Sequence, residues 1–524
     1  MEGSHACCWT CQELADPCRC TFVVLCADCA TVQRPLMTGI DCWLTRRDVG
    51  QVTAIDMLPD EILLAIFDYF VDEYAFRKRD IESWQSLVHV CRRWRGIVFG
   101  SPHRLDLRLV CGAKTPVREA LDVWPPLPLV IRGGAFEPKG VNNILAALER
   151  SDRVCRIIVW DFYQSSFKLK KVLAAMQETF PELTDLVINV LDLFFDMATA
   201  LPDSFLGGSA PRLQKLHLDG VSLPSLPKLL LTATDLVDLD LSDIPLSGYI
   251  SPEAMATALY MLTSLKLLTL KFKPFESRPG RASPHPPPTR SLLPVLDMLR
   301  FEGTTEYLDD LMARIDVPRL NTLDITFNEF ISDIPQFIQF ISRTSTLEVL
   351  ETVHVFLQDD DARIRLSSES SGYRELIVKI SSEMQLLRIC TSYLPPLSRS
   401  ENLYMYENTC AQLDLLDEDT LWSWLWLELL RPFTSVKNLY LSDAIASCIT
   451  HILQALHHRG RTTEVLPALE NIFFEGIQPW KPIPEGIEKF ISARQLSGRP
   501  ITFYPVSSWE KNMNMRNPDL GFDE

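Results

Sequence analysis

Residues 213–218 read Leu213-Gln214-Lys215-Leu216-His217-Leu218, and 23 positions later the chain reads Leu236-Val237-Asp238-Leu239-Asp240-Leu241. Both place apolar side chains at positions 1, 4 and 6 of a short unit. Outward from this pair the unit recurs from Val154, Leu183, Leu265, Leu296, Leu320, Leu347, Val436 and Leu469, with weaker copies near Tyr373 and Leu403. The unit from Leu347 is the poorest, because its sixth position is Thr352. From 154 to 347 the spacings are 29, 30, 23, 29, 31, 24 and 27 residues. Alternation at positions 4, 5 and 6 is that of a strand, two side chains facing a core and the one between facing outward. Between the strands lie helical signals such as Ser251-Pro252-Glu253, a hydroxyl cap followed by proline and an acid in the first turn. No unit of strand, loop and helix buries its apolar face alone, so neighbours must stack. The expected fold class is α/β, a curved array over residues 103–480 with a cap and tail at 481–524.

Composition limits what such an array meets. The 524 residues carry 51 Lys and Arg against 68 Asp and Glu, a net charge of −17, with 47% hydrophobic and 23% charged residues. That is the balance of a globular protein, and it disfavours non-specific attraction to nucleic acid or anionic lipid. No apolar run approaches the 18 residues of a membrane span. The start, Met1-Glu2-Gly3-Ser4-His5, lacks the basic and apolar regions of a secretory signal. A reducing location, cytoplasmic or nuclear, is expected, with protein partners.

Eight of the 14 cysteines fall within the first 42 residues. Cys8-x-x-Cys11 and Cys26-x-x-Cys29 have the pair spacing of a four-thiolate zinc site. The alternatives for residues 1–50 are a thiol-rich tail without metal and a misassigned start. The spacing also resembles fungal binuclear zinc-cluster regulators, but Cys42 follows Cys29 too distantly. Arg19 and Arg34 are moreover outnumbered by Glu2, Glu13, Asp16, Asp28 and Asp41, where those DNA readers are basic. No cofactor is required by the remaining sequence, and zinc is the single candidate.

Residues 273–294 interrupt the units with seven prolines and read as a projecting loop. Trp422, Trp424 and Trp426 read as part of a buried helix, and His457 and His458 as the carboxyl end of another. No phosphate-cradling glycine loop, nucleophile elbow or spaced His-Glu motif nominates an active site.

Residues 54–102 have a different texture. Met57-Leu58-Pro59-Asp60-Glu61-Ile62-Leu63 opens a helix with proline and two acids at its positive end. Ile62, Leu63, Ile66, Phe67 and Phe70 follow at helical spacing, and Trp84, Leu87, Val88, Cys91 and Trp94 form a second stripe. So small a helical module needs another surface to complete its core. Here the sequence resembles the F-box family. Leu58, Pro59, Glu61, Ile62, Leu63, Ile66 and Phe67 match its first half, and Val90-Cys91-Arg92-Arg93-Trp94-Arg95 its second. The charged connection from Val71 to Ser83 is longer than the family's linker.

An F-box followed by leucine-rich repeats is therefore the resemblance for the chain, a solenoid preceded by a small helical module. It implies a non-catalytic substrate-recognition subunit of an SCF-type ubiquitin ligase, docking a Skp-type adaptor and through it a cullin. Leu58, Pro59, Ile62, Leu63, Ile66, Phe67, Leu87, Val90 and Trp94 would be the adaptor-binding candidates, some of them filling the module's own core instead. An unknown client would lie on the concave face, for which Lys215, His217, Asp238, Asp240, Thr269, Asp324 and Lys437 are the candidates. No arginine cluster is evident on that face, so phosphate-dependent recognition is left open. The alternative reading is a leucine-rich scaffold outside any ligase, its helical module serving as a cap.

Overall fold

The computed structural model describes residues 54–77, 83–112, 117–134, 138–161, 166–190, 199–222, 224–273, 289–328, 333–347, 350–357, 362–368, 374–380, 394–407, 428–442, 445, 453, 464–475 and 485–506. Cys8, Cys11, Cys26 and Cys29, Trp422, Trp424 and Trp426, His457 and His458, and most of the proline-rich stretch lie outside the described residues.

The fold is mixed α/β around one large, mostly parallel sheet. Its first strands are β1 (Leu109–Gly112), β2 (Leu129–Gly134), β3 (Val154–Asp161) and β4 (Asp185–Val190). After the short β5 (Thr199–Ala200) come β6 (Lys215–Asp219), β7 (Val221–Ser222), β8 (Asp238–Ile244), β9 (Leu267–Phe272) and β10 (Ser291–Leu292). Then follow β11 (Met298–Gly303), β12 (Ile315–Asp316), β13 (Thr322–Phe327), β14 (Thr352–Leu357), β15 (Ala362–Ser368) and β16 (Arg374–Ile380). The last are β17 (Asn402–Glu407), β18 (Asn438–Leu441), β19 (Asn471–Glu475) and β20 (Thr502–Val506). The pairs β5–β7 and β10–β12 stand apart, and the other sixteen strands form one sheet.

From β1 to β13 the main sheet follows chain order, every neighbouring pair parallel. Positions 4 and 6 of each unit from Val154 to Leu320 point into the core, none more than 3% exposed. The helices between strands pack on the same side and on one another, so each unit buries the apolar face of the next. Caps fix their starts: the Ser251 hydroxyl accepts from the Ala254 N–H at 3.2 Å, and the Thr304 hydroxyl from the Tyr307 N–H at 3.4 Å. Asp309, within the helix Thr305–Arg314, accepts from the Gln336 and Phe337 N–H groups at 2.8 and 3.0 Å. A carboxylate of one unit thus meets the positive end of the next unit's helix, Pro335–Arg343.

Chain order then breaks. The sheet runs β13-β16-β15-β14-β17, so β14, β15 and β16 form an antiparallel meander laid in backwards. The unit expected from Leu347 is displaced: Leu347 closes a 3₁₀ turn, and Val353, Val355 and Leu357 of β14 are the core-facing residues. Thr352 at position 6 begins the strand instead of ending it. From β17 to β20 the parallel order resumes.

Before the sheet come α1 (Asp60–Arg77), α2 (Ser83–Val88) and α3 (Arg92–Gly100). The stripe from Trp84 to Trp94, which reads as one helix, is two. Residues 89–91 turn, and the Cys91 sulfur caps α3 by accepting from the Trp94 N–H at 3.5 Å. Trp84 joins the module to the sheet, its indole N–H donating to the Arg108 carbonyl at 3.0 Å and its ring meeting Trp124 edge-on at 5.2 Å. The module completes its core against the array, as so few residues require.

Candidate functional site

The helical module offers one surface and the outer sheet face another. In α1, Leu63 and Phe67 are 0% and 1% exposed, while Ile62, Ile66 and Tyr69 are 48%, 46% and 70% exposed. Residues 63 and 67 share one helix face, and residues 62, 66 and 69 share an adjacent one, so α1 is apolar on two sides and only one is covered. Met57 and Pro59, just ahead of α1, are exposed, Met57 at 74%, and so is Val90, between α2 and α3, at 57%. Of the nine residues expected to bind an adaptor, Pro59, Ile62, Ile66 and Val90 are therefore at the surface. Leu63, Phe67 and Leu87 are buried in the module's own core, and Leu58 and Trp94 pack half-buried against it. Trp94 meets Phe67 at 4.7 Å between ring centroids.

Arg93 links the two halves of the module. Its guanidinium donates to Asp60 Oδ1 at 2.6 and 2.9 Å and to the Leu58 carbonyl at 2.5 Å, clamping the start of α1 onto α3. Arg95 donates to the Val88 carbonyl at 3.0 Å and closes the end of α2.

On the outer sheet face the register aligns one residue per strand. One row runs Val187, His217, Asp240, Thr269, Arg300, Asp324, Ile377, Arg365, His354, Tyr404, Tyr440, Phe473 and Tyr504. His217, Asp240, Thr269 and Asp324 of the expected client surface belong to it, and Lys215 and Asp238 to the row beside it. Lys437 does not. It is position 2 of its unit, ahead of β18, and pairs with Glu401 at 2.8 Å.

The first half of the face is polar and internally paired. Asp238 takes His217 Nε2 at 2.9 Å and Lys215 Nζ at 3.3 Å. Burial alone would raise its carboxyl, but the hydrogen bond and charge of His217, with Lys215, bring it below the ordinary range. Ser242 donates to Asp240 at 2.6 Å. The second half is aromatic: His354, Tyr404, Tyr440, Phe473 and Tyr504 stack in sequence with centroids 4.6, 4.0, 4.5 and 5.0 Å apart and planes within 17°. In-register strands set that spacing. Beside it the side-chain amide of Asn438 donates to Asn402 and that of Asn471 to Asn438, each at 2.8 Å.

Between the halves stand charges that the regular units do not supply. Arg363 and Arg365 of the antiparallel β15 lie on this face, their neighbours Ala362, Ile364 and Leu366 being buried. The alternation Arg363-Ile364-Arg365-Leu366 was the signal for them, hidden because it follows no unit of the repeat. Arg365 pairs with Glu375, and Lys379 lies 3.6 Å from Asp324. The middle of the face therefore holds Arg363, Arg365 and Lys379 with the carboxylates of Glu375 and Asp324 paired to the latter two. Among the described residues no three His, Cys, Asp or Glu side chains are grouped to hold a metal, and no helix is long and apolar enough to cross a membrane.

Residues 55–108 match the F-box-like family. The match spans α1 to α3 and stops where β1 begins, so the covered and uncovered faces of α1 are those of an F-box-like domain. Domains of this family typically bind Skp-type adaptors, and F-box proteins in general are adaptor subunits of SCF ligases. No curated protein matches the chain.

Proposed function

We propose that this chain is the client-receptor subunit of an SCF-type cullin ubiquitin ligase, without catalytic activity of its own. The F-box-like domain would dock a Skp-type adaptor, and the sheet, read as a leucine-rich-repeat-like solenoid, would hold a client on its outer face. The observation that carries this reading is the apolar stripe Ile62, Ile66 and Tyr69, which no other part of the described chain covers. Contiguous apolar surface of that kind marks a protein-binding site. Holding both partners raises the effective concentration of ubiquitin-loaded enzyme near the client's lysines, so the receptor needs no chemistry of its own.

The test is co-expression with a Skp-type adaptor. Wild type should retain the adaptor and Ile62→Asp, Ile66→Asp should lose it by at least about tenfold, a carboxylate in an apolar contact costing more than 1.4 kcal/mol. Both positions are exposed, so the variant should keep the wild-type melting temperature. Trp94→Ala is a poorer probe because it empties space beside Phe67. A folded wild type that ignores the adaptor leaves the scaffold reading.

A further inference from the structure

The aromatic half of the outer face is a trough with two unlike walls. One wall is the stacked row His354, Tyr404, Tyr440, Phe473 and Tyr504. The other lies two residues earlier on each strand, about 7 Å away, and is the amide row Asn402, Asn438 and Asn471, continued by Thr352 and Thr502. Each amide carries two N–H donors, and the bonds from Asn438 to Asn402 and from Asn471 to Asn438 use one apiece, leaving a second on each for a partner. Because the rings cover one another's faces, a partner meets their edges, the positive side of the aromatic quadrupole. Both walls thus favour a chain that presents carbonyl oxygens and asks for few acceptors in return.

Spacing narrows the choice. Neighbouring strands lie about 4.8 Å apart, so the walls repeat over two strands at about 9.6 Å. A polyproline II helix rises about 3.1 Å per residue with three residues per turn, so it repeats at about 9.3 Å, and none of its carbonyls is engaged internally. A β-strand repeats every two residues at about 6.7 Å and falls out of step. Proline also brings a carbonyl without an N–H. Charge gives the direction. Among the outward side chains of β14 and β17 to β20, Glu475 is the charged residue, beside Phe473, while burial and the charges of Arg365 and Arg363 keep His354 neutral. On the rim ahead of these strands Lys437 is matched by Glu401, and Glu470 adds another carboxylate. Past the other end of the row stands Arg363, its guanidinium 5.9 Å from the Phe356 ring centroid. A cation on the partner is drawn to the β19 end and repelled from the β15 end.

We propose that this trough receives a proline-rich client segment in the polyproline II conformation, its prolines against the ring edges, its carbonyls toward the amide wall and a lysine or arginine at the β19 end. Aromatic-lined surfaces suit such segments, which lose little conformational freedom on binding. The inference rests on the receptor reading and names the class of client.

The experiment uses the full chain co-purified with its adaptor and three fluorescent peptide libraries of degenerate uncharged residues. The first fixes proline at every third position and arginine at one terminus or the other, the second has alanine for the prolines, and the third has glutamate for the arginine. Polarisation should show the first library binding at least about tenfold more tightly than the second, since proline restricts the free peptide, and also more tightly than the third. Tyr440→Ser should abolish the proline preference, Glu475→Gln should remove only the preference for arginine over glutamate, and Lys215→Ala, on the same face but remote, should keep both. Asn471→Leu replaces Tyr440→Ser if that variant fails to fold. Equal binding of the first two libraries, a proline preference that survives whichever of those two variants folds, or an arginine preference unchanged in Glu475→Gln would overturn the proposal. So would self-association in sedimentation that the same variant abolishes, because a second copy would then be the occupant. Adaptor co-elution is read on the same sample: a proline preference without adaptor refutes the ligase role alone, and adaptor without preference refutes the proline site alone.

Discussion

His354 shows how much one residue's setting decides. It is 7% exposed, stacked on Tyr404 at 4.6 Å, and flanked by Arg365 and Arg363. Burial first, and those two positive charges second, lower its pKa from 6.5 to about 3. Below pH 6.5 the unfolded chain takes up a proton that the folded chain refuses, so stability present above that pH is lost as pH falls toward 3. Between pH 7 and pH 5 the loss from this group is about 1–2 kcal/mol. His354→Phe keeps a stacking ring and cannot titrate, so its urea midpoint should fall less than that of wild type over the same interval. An equal fall in the two proteins would place the sensitivity elsewhere. None of this is readable from the sequence, where His354 sits in a stretch that the repeat grid misplaces.

Among elements, neighbouring units are tied by arginines as well as by apolar contact. Arg153 donates to the Leu127 carbonyl at 2.7 and 3.0 Å, Arg343 to the Ile315 and Met312 carbonyls at 2.7 and 2.5 Å, and Arg494 to the Leu466 and Leu469 carbonyls at 3.1 and 3.4 Å. The partners are 25 to 31 residues apart, about one unit of the repeat. A guanidinium suits the task because its planar fork reaches several carbonyls at once. Arg494, on the helix Glu485–Leu496, is fully buried, and Arg494→Leu should cost about 3 kcal/mol by leaving carbonyls unpaired in the core. Denaturant titration checks it, and a cost below 1 kcal/mol would mean that water replaces the guanidinium. Strands could be foreseen because position 4 and position 6 leucines repeat. These arginines could not, since their carbonyl partners are fixed by backbone geometry and not by side-chain type. The double-sided α1 was legible only in part: Ile62, Leu63, Ile66 and Phe67 are equally apolar in sequence, and only packing separates 62 and 66 from 63 and 67.

At the scale of the molecule, one apolar core runs from Leu63 to Ile501, yet each unit touches chiefly its neighbours. Stability should then be distributed along the array. Leu441→Ala, a fully buried residue of β18, should accelerate amide exchange in β17 to β20 and leave the protection of β4 to β9 unchanged. Loss of protection throughout would make the sheet a single cooperative unit. The α/β class and most strands from β3 to β13 were legible from the repeating unit. Of the meander only β16 was legible, Leu376 and Val378 being positions 4 and 6 of the weak copy at Tyr373; β14 and β15 were not, because they obey the alternation of an antiparallel sheet and no unit spacing.

That reversed meander also sets a schedule for the nascent chain. Up to β13 each new main-sheet strand pairs with the strand made just before it, but the partner of β13 is β16, completed about 50 residues later, a wait of a few seconds at ordinary synthesis rates. Throughout that interval the edge Thr322–Phe327 offers its unpaired N–H and C=O groups to any passing strand. Here a chaperone would have work to do on the ribosome, and a pause in translation just before residue 352 would lengthen the exposure.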